Sequence, residues 1–286
     1  MKLLVTHRSP DLDAISSVWC FTRFHATQFA DAKHAFVNAG ESIDLRAAED
    51  LGFSPEDVVH VDTGLGDFDH HQEERGMKRV CATSLVYDYV SHLHPELQGD
   101  QALQFLVEYV NAIDHFEECF WENATDLKNN LLIQNLIDGL QRYGVQDDEA
   151  LMHFGFQCLD AAHASLSAQI QAKGELKKGT EFETKWGKAI ALETAVDEVL
   201  KLSQKSGFLI AIRKDPNRGD IRIKAAPGKG IDLTPIYEKI TEMDTVGRWY
   251  FHPGKTMLLN GSSKEMNRKP SPLTLEQIIE IFKKVK

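Results

Sequence analysis

Apolar positions along this chain alternate between two rhythms. Short apolar runs at residues 2–6, 35–39 and 58–62 predict buried strands, each ending at a polar or turn-forming break. Between and after them, apolar residues recur at helical spacing. Ile15, Val18, Trp19, Phe21 and Phe24 place a helix over 13–29, a second is expected over 44–51, and Leu85, Val86, Tyr89 and Val90 mark a third over 83–92. Leu103, Leu106, Val107, Val110 and Ile113 line one face of a helix over 101–113, and helices continue over 131–140 and 149–172. Strands alternating with helices predict a parallel sheet covered on both faces, with any site beyond the carboxyl ends of its strands.

Residues 173–180 contain no large apolar residue except Leu176 and hold two glycines, so a linker is expected there. Beyond it the pattern predicts strands over 186–192, 208–213, 221–225, 249–251 and 256–259, with helices over 195–203, 233–240 and 275–285. Thr274 and Gln277 form a capping box for the last helix. The chain therefore reads as α/β in two domains, a parallel-sheet domain over 1–175 and a smaller mixed α/β domain over 180–286, with the expected site in a cleft between them.

Hydrophobic and charged contents of 42% and 26% suit a soluble globular protein, and the longest apolar runs are too short to span a bilayer. The N-terminus lacks the apolar stretch of a signal peptide. Cys20, Cys81, Cys119 and Cys158 are scattered without a C-x-x-C pair, which argues against a zinc knuckle or disulfide framework and for a cytoplasmic protein. Charge is uneven: residues 1–204 carry 16 Lys and Arg against 34 Asp and Glu, a net −18, and residues 205–286 carry 16 against 9, a net +7. An acidic body disfavours generic binding to long duplex DNA. It suits a metal-rich half beside a half that receives anions.

The candidate chemistry sits where the predicted strands end. His7, Asp11 and Asp13 form H-x-x-x-D-x-D in one strand-to-helix turn. Ser9, Asp11 or Asp13 could cap the helix, but a cap needs one of them and leaves the other acid and His7 unexplained. The stretch V-D-T-G-L-G-D-F-D-H-H-Q over 61–72 adds Asp62 and, past a Gly-rich turn, Asp69, His70 and His71; Asp114 closes the helix over 101–113. His7, Asp11, Asp13, Asp62, His70 and Asp114 thus offer four carboxylates and two imidazoles, whose −4 charge two divalent ions would neutralise. This ligand mixture suits manganese first, with magnesium, cobalt, iron or zinc as alternatives, the two ions roughly 3.5–4 Å apart.

T-H-R-S-P-D-L-D-A-I-S-S resembles the first motif of the DHH phosphoesterase superfamily, whose name matches Asp69-His70-His71. The motifs occur in order over residues 3–115. The short spacing from Asp62 to the triplet, F-D-H-H-Q, and the phrases G-F-L-I-A-I-R-K-D-P, I-R-I-K-A-A-P and Y-F-H-P-G-K are similar to the melanocyte-proliferating-gene branch of DHH-like nucleases. The resemblance implies that the six residues are metal ligands, that Asp62 bridges two ions, that His71 contacts substrate phosphate and that Asp69 orients its neighbours. The chain departs from the superfamily's C-terminal G-G-G-H signature: only His252-Pro253-Gly254 and Asn260-Gly261-Ser262-Ser263 stand near that role.

Arg213, Arg248, His252, Lys255 and Ser262 are the expected substrate-binding residues. The expected function is metal-dependent hydrolysis of a nucleotide-containing phosphodiester, such as a dinucleotide or short single-stranded oligonucleotide, with 3′–5′ exonuclease action as one form. A pyrophosphatase-like anhydride hydrolase and a non-catalytic nucleotide or metal sensor are the alternatives. No membrane partner is expected, and a homodimer is compatible with this reading.

Overall fold

A computed structural model describes residues 1–261 and 269–285. The chain divides into two compact units, Met1–Ser165 and Leu166–Lys286. The first contains β1 (Leu3–His7), α1 (Leu12–Phe24), α2 (Ala26–Phe29), β2 (Lys33–Val37), α3 (Leu45–Asp50), β3 (Val58–His60), α4 (Ala82–Leu93), α5 (Gln101–Asp114), α6 (Ile133–Tyr143) and most of α7 (Asp148–Leu176). Its sheet is parallel, in the order β2-β1-β3, with Leu3 opposite Lys33 on one side and Val58 on the other. On one face of β1, Leu3 and Val5 bury against Ala48 of α3 and Phe53. Because the central strand is buried on both faces, Leu3, Leu4 and Val5 are apolar in succession rather than alternating.

Two local departures from the predicted elements bear on the site. The helix expected over 13–29 breaks at His25, whose ψ of 43° leaves the helical region. The third strand stops at His60, two residues early, because Asp62 takes a left-handed conformation (φ 54°) and its N–H donates to the Phe68 carbonyl at 2.9 Å. That reversal turns the chain through Gly64, itself left-handed at φ 79°.

The second unit carries β4 (Thr180–Thr184), β5 (Gly187–Glu193), α8 (Glu198–Lys205), β6 (Ile210–Lys214), β7 (Ile221–Ala225), α9 (Thr234–Met243), β8 (Trp249–Phe251), β9 (Met257–Asn260) and α10 (Leu275–Lys284). Its six-stranded mixed sheet runs β4-β5-β6-β7-β9-β8, with β5 and β6 parallel across the α8 crossover. One face packs Ile212 and Ile223 against Ile236 and Ile240 of α9 and Ile278 and Phe282 of α10; the other packs Ile190 and Leu192 against Val199 and Leu200 of α8. The linker expected at 173–180 is not one: α7 continues through Leu176 and β4 begins at Thr180. A largely exposed helix end needs few apolar residues, so its sequence resembles a connector. No helix among the described residues is long and apolar enough to cross a membrane.

Arg213 corrects the substrate-binding expectation. It lies on β6 with 0% exposure, and its guanidinium is spent inside the unit. Nε donates to the Thr194 carbonyl (3.0 Å), and Nη2 donates to the Ala195 carbonyl (3.0 Å) and to Asp215 Oδ2 (2.8 Å). Nη1 reaches Asp197 Oδ1 at 3.2 Å. Strand position and charge suggested an anion-binding residue, but burial makes it a structural tie. Arg213→Ala would leave the Thr194 and Ala195 carbonyls without this donor and Arg218 as the remaining cation on Asp215, and urea denaturation of the full chain is expected to show a loss of about 1–3 kcal/mol. Unfolding at the wild-type midpoint would contradict that role.

Candidate metal centre

The centre is assembled where β1 and β3 run out and where α5 ends. His7, the last residue of β1, donates from Nδ1 to the Arg8 carbonyl (2.9 Å), which turns Nε2 towards acids. That nitrogen lies 3.3 Å from Asp62 Oδ2 and 3.8 Å from Asp11 Oδ1. Asp11 is also the N-cap of α1, its Oδ1 accepting from the Ala14 N–H at 3.0 Å. Capping and clustering are therefore not alternatives at this residue.

Asp13 is buried, and both of its oxygens are fixed by the first turn of α4: Oδ2 accepts from Ala82 N–H (2.7 Å) and Oδ1 from Thr83 N–H (2.8 Å). A helix N-terminus with unsatisfied N–H groups is a natural seat for a carboxylate. Its Oδ2 stands 3.8 Å from His70 Nε2. The same Nε2 is 3.4 Å from Asp62 Oδ1, and Nδ1 of His70 is 3.7 Å from Asp114 Oδ2 at the end of α5. Among the described residues three groups have the spacing to hold a metal ion: His7, Asp11 and Asp62; Asp62, His70 and His71; and Asp13, His70 and Asp114. All six candidate ligands are thus brought together, and Asp62 belongs to two of the groups.

Asp62 Oδ1 and His70 Nε2 are buried without a hydrogen-bond partner among the described residues. Leaving such atoms unsatisfied is costly, as is a left-handed Asp, at about 1–3 kcal/mol. Donors of this kind, hard carboxylate oxygens mixed with imidazole nitrogens, fit a divalent cation. Burial opposes charge on His7, but Asp11 and Asp62 outweigh it and push the imidazole up to about 11. His70 is likewise raised against burial, to about 9, by Asp62, Asp114 and Asp13. Burial, with the charges of Asp62 and Asp114, pushes Asp13 up to about 8; burial pushes Asp114 to about 6 despite His70.

Asp69 lies beside this cluster and is completely buried. It accepts from Leu65 N–H (2.7 Å) and from His71 N–H (3.0 Å), and His71 Nδ1 donates to it at 2.7 Å. Burial would raise its pKa, but these donors hold it below the ordinary carboxylate range. His71 is left 57% exposed with Nε2 on the far side of the ring. The Arg75 guanidinium grips the carbonyls of Asp67 (2.8 Å) and Asp69 (2.7 Å), fixing the loop that carries the triplet.

A cavity of about 430 Å³ adjoins the cluster; Asp11, Asp13, His70, His71 and Asp114 line it, and among the described residues no Lys or Arg does. Glu118, Gln134 and Asn135 also line it, and sequence pattern did not single them out. Glu118 lies in a short turn, and Gln134 and Asn135 are polar positions in the first turn of α6, where apolar periodicity draws no attention to them. The remaining expected substrate residues belong to the second unit. Lys255 Nζ pairs with Asp232 at 2.9 Å, His252 Nδ1 accepts from Gly254 N–H at 3.0 Å, and Arg248 is exposed, its backbone N–H bonded to the Lys269 carbonyl (3.1 Å). Ser262 lies outside the described residues.

No protein-family model matches the sequence, and no curated protein matches it. Among solved structures, the chain is similar to exonuclease RecJ bound to manganese, at 12% identity and a TM-score of 0.32, over 99% of this chain and 89% of that one. It is similar also to RecJ in complex with Mg2+ from Thermus thermophilus, at 12% identity and a TM-score of 0.34 over 99% of this chain. It spans 49% of that second chain.

Proposed function

We propose that this protein is a metal-dependent phosphoester hydrolase of the DHH type, acting on a nucleotide-containing phosphodiester such as a dinucleotide or short oligonucleotide. The observation that carries this reading is the buried, unbonded pair Asp62 Oδ1 and His70 Nε2, set among four carboxylates and two imidazoles. His7, Asp11 and Asp62 would hold one divalent ion, Asp13, His70 and Asp114 the other, with Asp62 shared; manganese is the first candidate. Bound cations would supply Lewis acidity towards phosphoryl oxygens and a water of lowered pKa. Asp13, clamped by two N–H groups of α4, keeps its carboxylate from rotating. Asp69 accepts from His71 Nδ1–H and so fixes the ring, which leaves Nε2 to accept from a water or hydroxyl proton at the substrate side. Among the described residues no Lys or Arg lines the cavity, which favours a diester with one charge per phosphate over pyrophosphate.

The test is a turnover assay of the purified chain with manganese, on dinucleotides, short RNA and DNA oligomers and pyrophosphate. Hydrolysis of a phosphodiester that stops with chelator and returns with manganese is expected; metal-loaded protein inert towards every phosphodiester would refute the reading. Asp69→Asn checks the orienting role. An amide offers one acceptor oxygen in place of two, so either the Leu65 turn or the His71 ring loses its partner. The expected result is a kcat lower by roughly 10–100-fold with metal content retained. Unchanged kcat would remove Asp69 from the mechanism.

A further inference from the structure

A second cavity, of about 290 Å³, shares Glu118 and Asn135 with the one at the metal centre. Its other lining includes Trp121, Thr125, Asn129 and Asn130. Among the described residues no Lys or Arg lines it, so it offers no cation to a further phosphate. The hydrogen bonds around it are polarised. Asn129 donates from Nδ2 to the carbonyls of Asn123 (2.9 Å) and Ala124 (3.1 Å), and Asn135 from Nδ2 to the Asn129 carbonyl (2.8 Å). Those bonds fix both amides with Oδ1 as the unused end, accepting nothing among the described residues. Glu118 Oε2 is buried and also has no partner among them. The indole of Trp121 stays 38% exposed beside these acceptors.

Unused acceptors and one aromatic face, with no cation, are complementary to a planar, uncharged group that carries N–H donors. We infer that this cavity seats a nucleobase bearing an exocyclic amine, stacked on Trp121 and bonded along its edge by Glu118, Asn129 or Asn135. The proposal deepens the phosphodiesterase reading, because the phosphate of the same nucleotide would then lie at the metal centre. It makes the site selective for nucleotides over bare phosphate esters.

The experiment is calorimetric titration of manganese-loaded protein with adenosine monophosphate and, separately, with ribose phosphate, for the wild type and Trp121→Ala. Binding needs no turnover, so its outcome is independent of whether the chain hydrolyses diesters. Adenosine monophosphate is expected to bind the wild type roughly 5–150-fold more tightly than ribose phosphate, the range set by base–aromatic stacking. Trp121→Ala should erase most of that difference while ribose phosphate binds as before, and Asn135→Ala should reduce it in the same sense. Equal binding of the two probes by the wild type overturns the inference. So does a Trp121→Ala variant that weakens both probes alike.

Discussion

Asp62→Asn is expected to lower metal-dependent hydrolysis by at least about three orders of magnitude while the protein stays folded. Among the described residues Asp62 stands in two of the three groups able to hold a cation, with His7 and Asp11 in one and with His70 and His71 in the other, so one substitution withdraws a negative oxygen from both. The fold has little reason to fail. An amide is nearly isosteric, Asn accepts the left-handed backbone that this position requires, and the bond to Phe68 is made by the backbone N–H. Activity, metal content and circular dichroism measured on one preparation would separate the effects. A folded Asp62→Asn protein with wild-type turnover would eliminate the shared-ligand role.

Binding of manganese is expected to release protons, about three per chain near neutral pH, and its stabilising effect should grow as pH rises. The sign follows from four groups that shift in one direction. His7, His70, Asp13 and Asp114 all have folded pKa values above their ordinary ones, at about 11, 9, 8 and 6. The stability each gives the metal-free fold is present in full below its unfolded pKa and lost as pH rises through its folded pKa. For the two carboxylates the loss begins near 4 and runs to about 6 and 8; for the two imidazoles it begins near 6.5 and runs to about 9 and 11. The metal-free protein should therefore weaken steadily from mildly acid to alkaline pH. Cations replace the departing protons, so the rise in Tm on adding manganese should be larger at alkaline pH than at acid pH. Calorimetry in buffers of different ionisation enthalpy measures the protons released. A Tm rise independent of pH, with no proton release, would mean that cations bind elsewhere.

Much of the first unit was legible because its chemistry sits at the ends of strongly apolar elements. The runs that become β1 and β3 predict where His7 and Asp62 fall, and the five apolar residues of α5 deliver Asp114 at its last position. What the sequence does not show is long-range hydrogen bonding. Nothing near Asp13 announces that Ala82 and Thr83, some 70 residues on, will clamp it. Nor does V-D-T-G announce that Asp62 itself, rather than a glycine, takes the left-handed turn. Arg213 misled for a related reason: an arginine on a strand looks alike whether it faces solvent or a ring of buried carbonyls. The 173–176 segment misled because charged residues on the exposed end of a helix have the composition of a connector. The acceptor-lined cavity around Asn135 joins the start of α6 to the short turns before it, and the polar positions that line it have no periodic signature.

The central claim is that these six side chains form one two-ion centre, and locating the metal tests it most directly. Crystals of the full chain grown with manganese should give two anomalous-scattering peaks at its absorption edge. One peak should lie among His7, Asp11 and Asp62, and the other among Asp13, His70 and Asp114, with the Asp62 carboxylate between them. Manganese-replete crystals with no peak among these residues, or with peaks only elsewhere, would contradict the account.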